Sequence, residues 1–386
     1  MAALDPSRIP LSIYLHWPWC VRKCPYCDFN SHRAPADLAA LEGRYVAALL
    51  EDLEGWRTDA EGREVASIFI GGGTPSLMSG GALAALLAGL RERFPLAPDC
   101  EVTLEANPGT VEAGKFAHFR EAGVNRLSIG VQSFSDERLK RLGRIHTADE
   151  ARRAVGEARS VFENFNLDLM YALPGETSAG LREELEEAVA SGATHLSCYQ
   201  LTIEPGTAFA KRVPEGLPDE DETAEMGELV EEILGRAGFG RYEVSGYARA
   251  GHRCRHNLNY WTFGDYLAAG AGAHGKVTTP AGVRREMRRA NPRAWLDAPL
   301  LGRSRVEESR WVEAADLPFE FMLNALRLLE GVPAALFTER TGLPLEAVAP
   351  ALKGLREAGL LDPDPARIRT TRRGLDFLSD VQEAFL

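Results

Sequence analysis

The sequence has no long apolar run and no secretion signal. Its first residues, Met-Ala-Ala-Leu-Asp-Pro-Ser-Arg, lack the basic start and apolar run of a signal peptide. No stretch approaches the roughly 18 apolar residues that a membrane span requires. The richest apolar segment, residues 83–90, is too short for a membrane span and contains Gly89. We therefore expect it to form a buried helix. These absences favour a cytoplasmic protein whose thiols stay reduced.

Cysteine and positive charge are also scarce. Six cysteines occur in 386 residues, and three of them fall within residues 20–27, which disfavours a disulfide framework and indicates a metal site. The 44 basic and 56 acidic residues give a net charge of −12, so we expect no nucleic-acid partner. A composition of 45% hydrophobic and 26% charged residues excludes a disordered or collagen-like chain. The length predicts two or three domains of about 150 residues each.

Strand-like and helix-like segments alternate through the first half. Runs rich in Ile, Val, Leu, Phe or Tyr predict strands at residues 12–17, 66–70, 101–104, 126–131, 165–170 and 195–201. Helical spacing between them predicts helices at residues 38–56, 81–94, 112–122, 147–162 and 181–191. This α/β pattern predicts a parallel sheet covered by helices. Six units are too few for an eight-fold barrel, so we expect a partial (β/α)6 barrel, with a flat doubly wound sheet as the alternative.

The second half has a different pattern. An acidic helix is predicted at residues 220–237, and prolines mark a boundary at residues 292–299. Three helices at residues 319–329, 333–341 and 345–358 precede a β-wing at residues 368–371, which gives a winged-helix-like outline. We therefore expect a barrel core at 1–205, an extension at 206–300 and a mainly helical, winged-helix-like domain at 301–386. The acidic chain favours a lid packed on the barrel over a DNA-binding role for this last domain.

Three cysteines, Cys20, Cys24 and Cys27, directly follow the first predicted strand. The remaining cysteines stand alone: Cys100, Cys198 and Cys254. Zinc usually takes four ligands, often as two separated pairs, and no second pair follows here. A [4Fe-4S] cluster held by three thiolates leaves one iron open for a ligand, and the spacing favours it. A zinc site completed by His16 or His32 is the alternative.

Polar and glycine-rich groups follow the other predicted strands. They are Gly72, Gly73 and Thr74, then Glu105, then Gln132 and Arg144, while Asp168 lies within the fifth predicted strand. In a βα barrel, functional residues collect at the carboxyl ends of the strands. Glycines let backbone N–H groups approach a ligand closely, and a carboxylate accepts hydrogen bonds from ribose hydroxyls. The plainer interpretations are a tight turn for the glycines and a buried ion pair between Arg144 and Asp168.

The C-x3-C-x2-C spacing, with Tyr26 before the last cysteine, resembles the radical SAM superfamily. Within it, Ile-Tyr-Leu-His-Trp-Pro-Trp-Cys at residues 13–20 resembles the branch of oxygen-independent coproporphyrinogen III oxidases and HemW-type heme chaperones, and this resemblance spans nearly the whole chain. It implies a [4Fe-4S] cluster whose open iron chelates S-adenosylmethionine (SAM). It also implies a reductant such as flavodoxin or ferredoxin, whose electron cleaves a C–S bond to give a 5′-deoxyadenosyl radical. The SAM contacts it implies are Tyr14, Tyr26, Gly72, Gly73, Thr74, Glu105, Gln132, Arg144 and Asp168.

Three features separate the chain from the oxidases of this branch. The oxidases carry a further cysteine two residues after the third, where this chain has Phe29. They also have a longer N-terminal segment, whereas thirteen residues precede Tyr14 here. Residues 256–261 fit the His-Asn-x-x-Tyr-Trp motif of the chaperones. The resemblance therefore implies a chaperone that binds heme through His256 and passes it to an acceptor protein.

Several alternatives stay open at this point. The chain could instead be a porphyrinogen oxidase or a zinc-stabilised interaction protein, so enzyme activity is undecided. Without the resemblance, His256 is more simply an ordinary histidine beside aromatic core residues. Weaker heme candidates are His252, His274 and the arginines of residues 284–289, which could meet heme propionates but more simply form a solvated basic face. No membrane span is expected, although a membrane-bound acceptor would be compatible.

Overall fold

The computed structural model describes residues 3–111 and 114–386, and a twelve-stranded sheet forms its centre. The strands are β1 (Leu11–Trp17), β2 (Val65–Gly72), β3 (Leu96–Ala106), β4 (Arg126–Gln132), β5 (Phe165–Tyr171), β6 (His195–Gln200), β7 (Gly240–Arg241), β8 (Gly246–Ala248), β9 (Asp265–Ala269), β10 (His274–Thr279), β11 (Gly282–Arg288) and β12 (Val306–Trp311). Their order across the sheet is β12-β11-β10-β9-β1-β2-β3-β4-β5-β6-β8-β7.

The six strands β1–β6 correspond to the six strands predicted from the sequence. They are parallel and lie side by side in chain order. A doubly wound sheet reverses its strand order at a switch point, so the consecutive order excludes that alternative. The fold is of the expected α/β class, a partial (β/α)6 barrel. The strands are rich in Ile, Leu, Val and Phe because both faces of such a sheet are largely covered.

Fifteen α-helices occur in the described residues. They are α1 (Leu38–Glu54), α2 (Gly80–Arg93), α3 (Lys115–Ala122), α4 (Asp136–Arg141), α5 (Ala148–Val161), α6 (Ser178–Ala190), α7 (Ala208–Lys211), α8 (Glu220–Arg236), α9 (Arg255–Trp261), α10 (Pro292–Asp297), α11 (Leu317–Ala325), α12 (Ala335–Thr341), α13 (Ala349–Glu357), α14 (Arg372–Asp376) and α15 (Leu378–Glu383). None of them is long and apolar enough to cross a lipid bilayer.

The helices predicted between the barrel strands are confirmed to within a few residues. Only the prediction at residues 112–122 starts outside the described residues, at 112–113, and a helix is present from Lys115. Helices α5 and α8 each begin with a capping box, formed by Thr147 with Glu150 and by Asp219 with Glu222. The leucines of α2 are buried against the sheet, as expected for the apolar segment at residues 83–90.

The second half extends the sheet at both edges, which the sequence did not predict. Strand β9 lies parallel to β1, and β10, β11 and β12 continue antiparallel, while β8 and β7 follow β6. The predicted solvated basic face at residues 284–289 is wrong, because these residues lie on β11 or directly after it and each arginine meets a carboxylate. The pairs are Arg284–Asp59, Arg285–Glu320, Arg288–Asp52 and Arg289–Glu307. The proline-marked segment is α10, whose Trp295 is buried.

The C-terminal part has its own apolar core. Helices α11, α12 and α13 correspond to the three predicted helices, and Val332–Pro333 pairs with Arg367–Ile368 at the predicted wing. Buried residues of the preceding extension, such as Phe263 and Val283, join this core. Phe263 contacts Phe321 edge-on, with 5.7 Å between ring centroids. The C-terminal helices therefore pack on the segment that follows the barrel.

Candidate cofactor site

A cavity of about 280 Å³ lies at the carboxyl ends of the barrel strands. Its lining includes all three clustered cysteines, Cys20, Cys24 and Cys27. It also includes most of the other predicted site residues, namely Tyr26, Gly72, Gly73, Thr74, Glu105, Gln132, Arg144 and Asp168. Tyr14 and His256 are not part of this lining. Residues far apart in the chain thus meet at one place because parallel strands end at the same edge of a sheet.

The loop that carries the cysteines is tied to the barrel at its base. The two-residue strand Trp19–Cys20 pairs in parallel with His32–Arg33 and closes the loop at residues 21–31. His16 holds the C-terminal end of the loop, because its Nε2 donates to the carbonyl oxygen of Asn30 at 2.8 Å. The loop is therefore fixed before any ligand binds.

The three thiols are free, and they face the cavity from this loop. The Sγ atom of Cys27 lies 3.8 Å from the hydroxyl of Ser31, and Nη1 of Arg144 lies 3.7 Å from Sγ of Cys24. Burial raises the pKa of the Cys20 and Cys27 thiols. Three thiols with a cation beside them fit a three-thiolate iron–sulfur cluster, whose ligands bind as thiolates.

The histidines proposed to complete a zinc site are engaged elsewhere. Nδ1 of His16 accepts a hydrogen bond from the Tyr14 hydroxyl at 2.9 Å, and its Nε2 is taken by Asn30. Nε2 of His32 lies 3.1 Å from the Asn30 side-chain oxygen. Within residues 3–111 and 114–386, no three His, Cys, Asp or Glu side chains are arranged to hold a single metal ion. In a cubane cluster, by contrast, each thiolate binds a different iron.

The glycine turn after β2 requires glycine at two positions. Gly72 has φ = +112°, and a Cβ atom there would lie 2.5 Å from the His16 ring. A Cβ atom on Gly73 would lie 2.7 Å from the carbonyl oxygen of Trp19. The glycines thus form a tight turn and also bring backbone N–H groups close to the cavity. One of these groups, the N–H of Gly72, donates to Oε2 of Glu105 at 3.0 Å.

Gln132 occupies a strained backbone position at the end of β4. Its φ is +66°, in the left-handed region that glutamine rarely adopts. The pairing of β4 with β5 shifts register between Gly130 and Gln132, which marks a bulge. Bulges re-aim side chains, and here the amide is turned into the cavity. Such strain costs on the order of 1–3 kcal/mol and is concentrated at functional sites.

The carboxyl groups of Glu105 and Asp168 face the cavity from the barrel strands without a contacting cation. Burial, followed by the charge of Asp168, raises the pKa of Glu105 to about 8. Asp168 accepts hydrogen bonds from Ser128 at 3.0 Å and from Asn166 at 2.8 Å, and burial raises its pKa as well. The predicted ion pair between Arg144 and Asp168 is wrong, because Arg144 donates to the Gly130 carbonyl oxygen at 2.7 Å and points to Cys24. The site is complementary to a ligand with positive charge and hydroxyl donors.

Tyr14 and His256 lie together beneath the cavity. The His256 ring stacks on Phe69, with 4.7 Å between centroids, and meets Tyr260 edge-on at 4.5 Å. The residue is 2% exposed, and neither ring nitrogen has a hydrogen-bond partner among the described residues. Burial lowers its pKa to about 3, so the imidazole is neutral. Phe69 precedes Gly71 by two residues on β2, which places His256 one layer below the glycine turn.

The lining also contains residues that were not predicted from the sequence, among them Asn107, Ser128, Met170 and Tyr199. Ser128, Met170 and Tyr199 lie on barrel strands, and Ser128 donates a hydrogen bond to Asp168. Ser128 precedes Gly130 by two positions, Met170 follows Asp168 by two, and Tyr199 lies near the end of β6. The two-residue period of a strand is the signal that could have found them.

Comparisons with known proteins cover the whole chain. The family model for the radical SAM superfamily matches residues 14–188, and the model for the HemN C-terminal domain matches residues 312–377. The relatives named heme chaperone HemW include that of Escherichia coli, 49% identical over 98% of this chain and 98% of the relative. That of Haemophilus influenzae is 44% identical over 99% of both chains, and that of Bacillus subtilis is 34% identical over 97% and 99%.

Among solved structures, the coproporphyrinogen III oxidase HemN from Escherichia coli superposes with a TM-score of 0.82. It covers 99% of this chain and 91% of its own chain, at 21% sequence identity. At that identity, the likeness shows a shared fold and no more.

Proposed function

The chain belongs to the heme chaperone HemW family and carries a radical SAM domain, and from this premise we propose that it binds heme and passes it to an acceptor protein in the cytoplasm. The observation that carries the proposal is the 49% identity to a heme chaperone over 98% of both chains. A match of this length includes the cysteine loop, the glycine turn and the helix that carries His256.

The cofactors of this proposal are a [4Fe-4S] cluster and SAM. Cys20, Cys24 and Cys27 would hold the cluster, which would supply the electron for cleavage of a C–S bond of SAM. The side chains and N–H groups that would fix SAM are Tyr26, Gly72, Gly73, Thr74, Glu105, Gln132, Arg144 and Asp168. Tyr14 would support them from below, because its hydroxyl orients His16 and His16 holds the cysteine loop.

His256 is the heme ligand in this proposal. Support comes from its neutral imidazole, the form that ligates heme iron, and from its two unpartnered ring nitrogens. A buried nitrogen without a hydrogen bond is costly, so a ligand that binds it recovers free energy. Because the side chain is 2% exposed, heme ligation requires α9 to move away from β1 and β2.

The porphyrinogen oxidase alternative draws support from the shared fold and from the match to the HemN C-terminal domain model. Phe29, 59% exposed at the rim of the cavity, occupies the position where the oxidases carry a further cysteine. A phenyl ring has no sulfur to offer a metal or a substrate. This position therefore favours heme binding over porphyrinogen oxidation.

The test is anaerobic reconstitution with iron and sulfide, followed by parallel assays of heme binding and porphyrinogen turnover. We expect a Soret shift on heme addition, a substantially weaker shift in His256→Ala, and no turnover. His118→Ala, at an exposed histidine of α3, is the matched control and should bind heme like the unchanged chain. Absence of a Soret shift would contradict the chaperone proposal, turnover of coproporphyrinogen would favour the oxidase, and zinc in place of iron would favour the zinc-stabilised protein.

A further inference from the structure

A second cavity, with a volume of about 880 Å³, lies on the other side of the cysteine loop. Cys24, Cys27 and Arg144 line this cavity as well as the one that faces the barrel. The cysteine loop therefore separates the two cavities, and a cluster bound by its thiolates would be accessible to a ligand in one cavity and to a partner in the other. Neither the proposed SAM contacts nor the heme ligand require the outer cavity.

The outer cavity is positively charged, although the whole chain carries a net charge of −12. Four cations line it: Arg22, Lys23, Lys140 and Arg144. The one carboxylate in the lining, Asp136, accepts a hydrogen bond from the N–H of Ala148 at 2.7 Å and forms no ion pair with these cations. His146 also lines the cavity and adds no charge, because burial lowers its pKa to about 4.

These cations are oriented without being neutralised. The guanidinium of Arg22 donates to the carbonyl oxygens of Gly143 and Arg144, at 2.5 and 3.2 Å. The ammonium of Lys23 donates to the carbonyl oxygen of Phe29 at 2.8 Å. Lys140 has no ion pair or side-chain hydrogen bond with another described residue. By contrast, the four arginines of the segment at residues 284–289 are all paired with carboxylates.

We propose that this outer cavity is the docking surface for an acidic one-electron carrier protein that reduces the cluster. The inference rests on the proposed function, since it requires a cluster on Cys24 and Cys27. One electron leaves the reduced flavin or iron–sulfur group of the carrier and enters the oxidised cluster, with no bond formed or broken. The carrier approaches from the side opposite the SAM cavity, so it need not displace SAM.

The positive charge of the outer cavity fits such a transient complex. Redox complexes bury small interfaces and depend on electrostatic steering, which raises association rates and is screened by salt. Opposite charges on the two partners would align the carrier over the cysteine loop. A negatively charged carrier is repelled by the acidic remainder of the surface, which restricts productive docking to this cavity.

The experiment measures anaerobic reduction of the reconstituted cluster by stopped-flow absorbance, with reduced flavodoxin as the acidic carrier. Lys140→Glu and Lys23→Glu should each lower the second-order rate constant about tenfold at low ionic strength, and high salt should remove most of the difference. Arg303→Glu makes the same charge change at an exposed arginine outside the lining of the outer cavity and should leave the rate constant near that of the unchanged chain.

A small neutral reductant, photoreduced deazariboflavin, reports on the cluster itself. It should reduce both variants at the rate of the unchanged chain, which shows that the cluster is intact. Equal slowing by Arg303→Glu, or no slowing by either variant, would overturn the proposal. Unchanged reduction together with slower heme transfer would also overturn it and would assign the cavity to the heme acceptor. Heme titration of the same variants separates this outcome from failure of the chaperone proposal, since heme binding should be unaffected.

Discussion

The two ends of the barrel interior differ in access and in how their polar groups are satisfied. At the carboxyl ends of the strands, carboxyl groups, an amide and three thiols line an open cavity. One layer below, the His256 imidazole is enclosed by Phe69, Tyr14 and Tyr260 and has no polar partner. The upper end is arranged to receive a ligand as it stands, whereas the lower end must first open.

This difference shows that two sequence motifs, the cysteine loop and the His-Asn-x-x-Tyr-Trp segment of α9, occupy different environments: the first faces an open cavity and the second is buried. The cysteine loop is held by a backbone ladder and by His16, so its side chains are displayed. Helix α9 instead packs into the barrel, and the N–H of Arg255 at its start donates to the buried Glu101 at 3.0 Å. If the account is right, changes at the upper end affect the cluster and SAM, and changes at the lower end affect heme.

The largest expected effect is the loss of the cluster in Cys24→Ser. A hydroxyl is a poor substitute for an iron-binding thiolate, so we expect reconstituted protein with little iron and little visible charge-transfer absorption. Heme binding, measured by the Soret band, should persist because His256 lies in a separate layer. Cys198→Ser changes a buried cysteine outside the cavity and is the control. Simultaneous loss of cluster and heme in Cys24→Ser would contradict the separation of the two ends.

The second effect concerns the lower end alone. His256→Phe keeps an aromatic ring on Phe69 and removes both unpartnered nitrogens. Heme affinity should fall at least about tenfold, because removal of a metal ligand or of a residue that supports it lowers metal affinity by at least this factor. The melting temperature should hold or rise, because an unsatisfied buried polar group costs about 1–3 kcal/mol. Unchanged heme affinity in this variant would contradict the proposal that His256 is the heme ligand.

The third effect returns to the upper end. Gly72→Ala places a Cβ atom 2.5 Å from the His16 ring at φ = +112°, so we expect a destabilisation of about 1–3 kcal/mol and weaker SAM binding. Gly81→Ala is the matched control, because that glycine lies in α2 with no atom within 4 Å of the added Cβ. It should be neutral or stabilising by up to about 1 kcal/mol. Chemical denaturation measures the free energy of unfolding of each variant, and titration calorimetry measures its SAM affinity. Equal stability and equal SAM affinity of the two variants would contradict the requirement for glycine at position 72.

The smallest effect is a pH dependence of SAM affinity. The raised pKa of Glu105, about 8, means that its carboxyl group is mostly neutral below that pH and ionised above it. A carboxylate accepts ribose hydrogen bonds and attracts a cationic ligand better than a carboxylic acid does, so affinity should rise as pH increases through about 8. Glu105→Gln should flatten this profile. Affinity that falls over the same range would place Glu105 outside the contacts proposed for SAM.

Local patterns in the sequence predicted the barrel and the residues of the upper cavity. Strand boundaries follow from apolar runs, and chemistry at strand ends follows from the parallel arrangement. Glu105 was therefore predicted from its position after a strand, and Asp168 from its position inside an apolar strand. Long-range pairing escaped prediction. The arginines at residues 284–289 find carboxylates such as Asp52 and Asp59, more than two hundred residues earlier in the chain, which no local pattern reveals. The burial of His256 likewise depends on β1 and β2, from the opposite end of the sequence.

The central claim, that SAM and heme bind at separate ends of one barrel, is tested most directly by heme titration with and without saturating SAM. The protein is reconstituted anaerobically, and the Soret band reports heme binding. We predict simultaneous binding, with heme dissociation constants that agree within about twofold, because independent sites have little coupling free energy. Displacement of heme by SAM, or the absence of any Soret shift, would contradict the account.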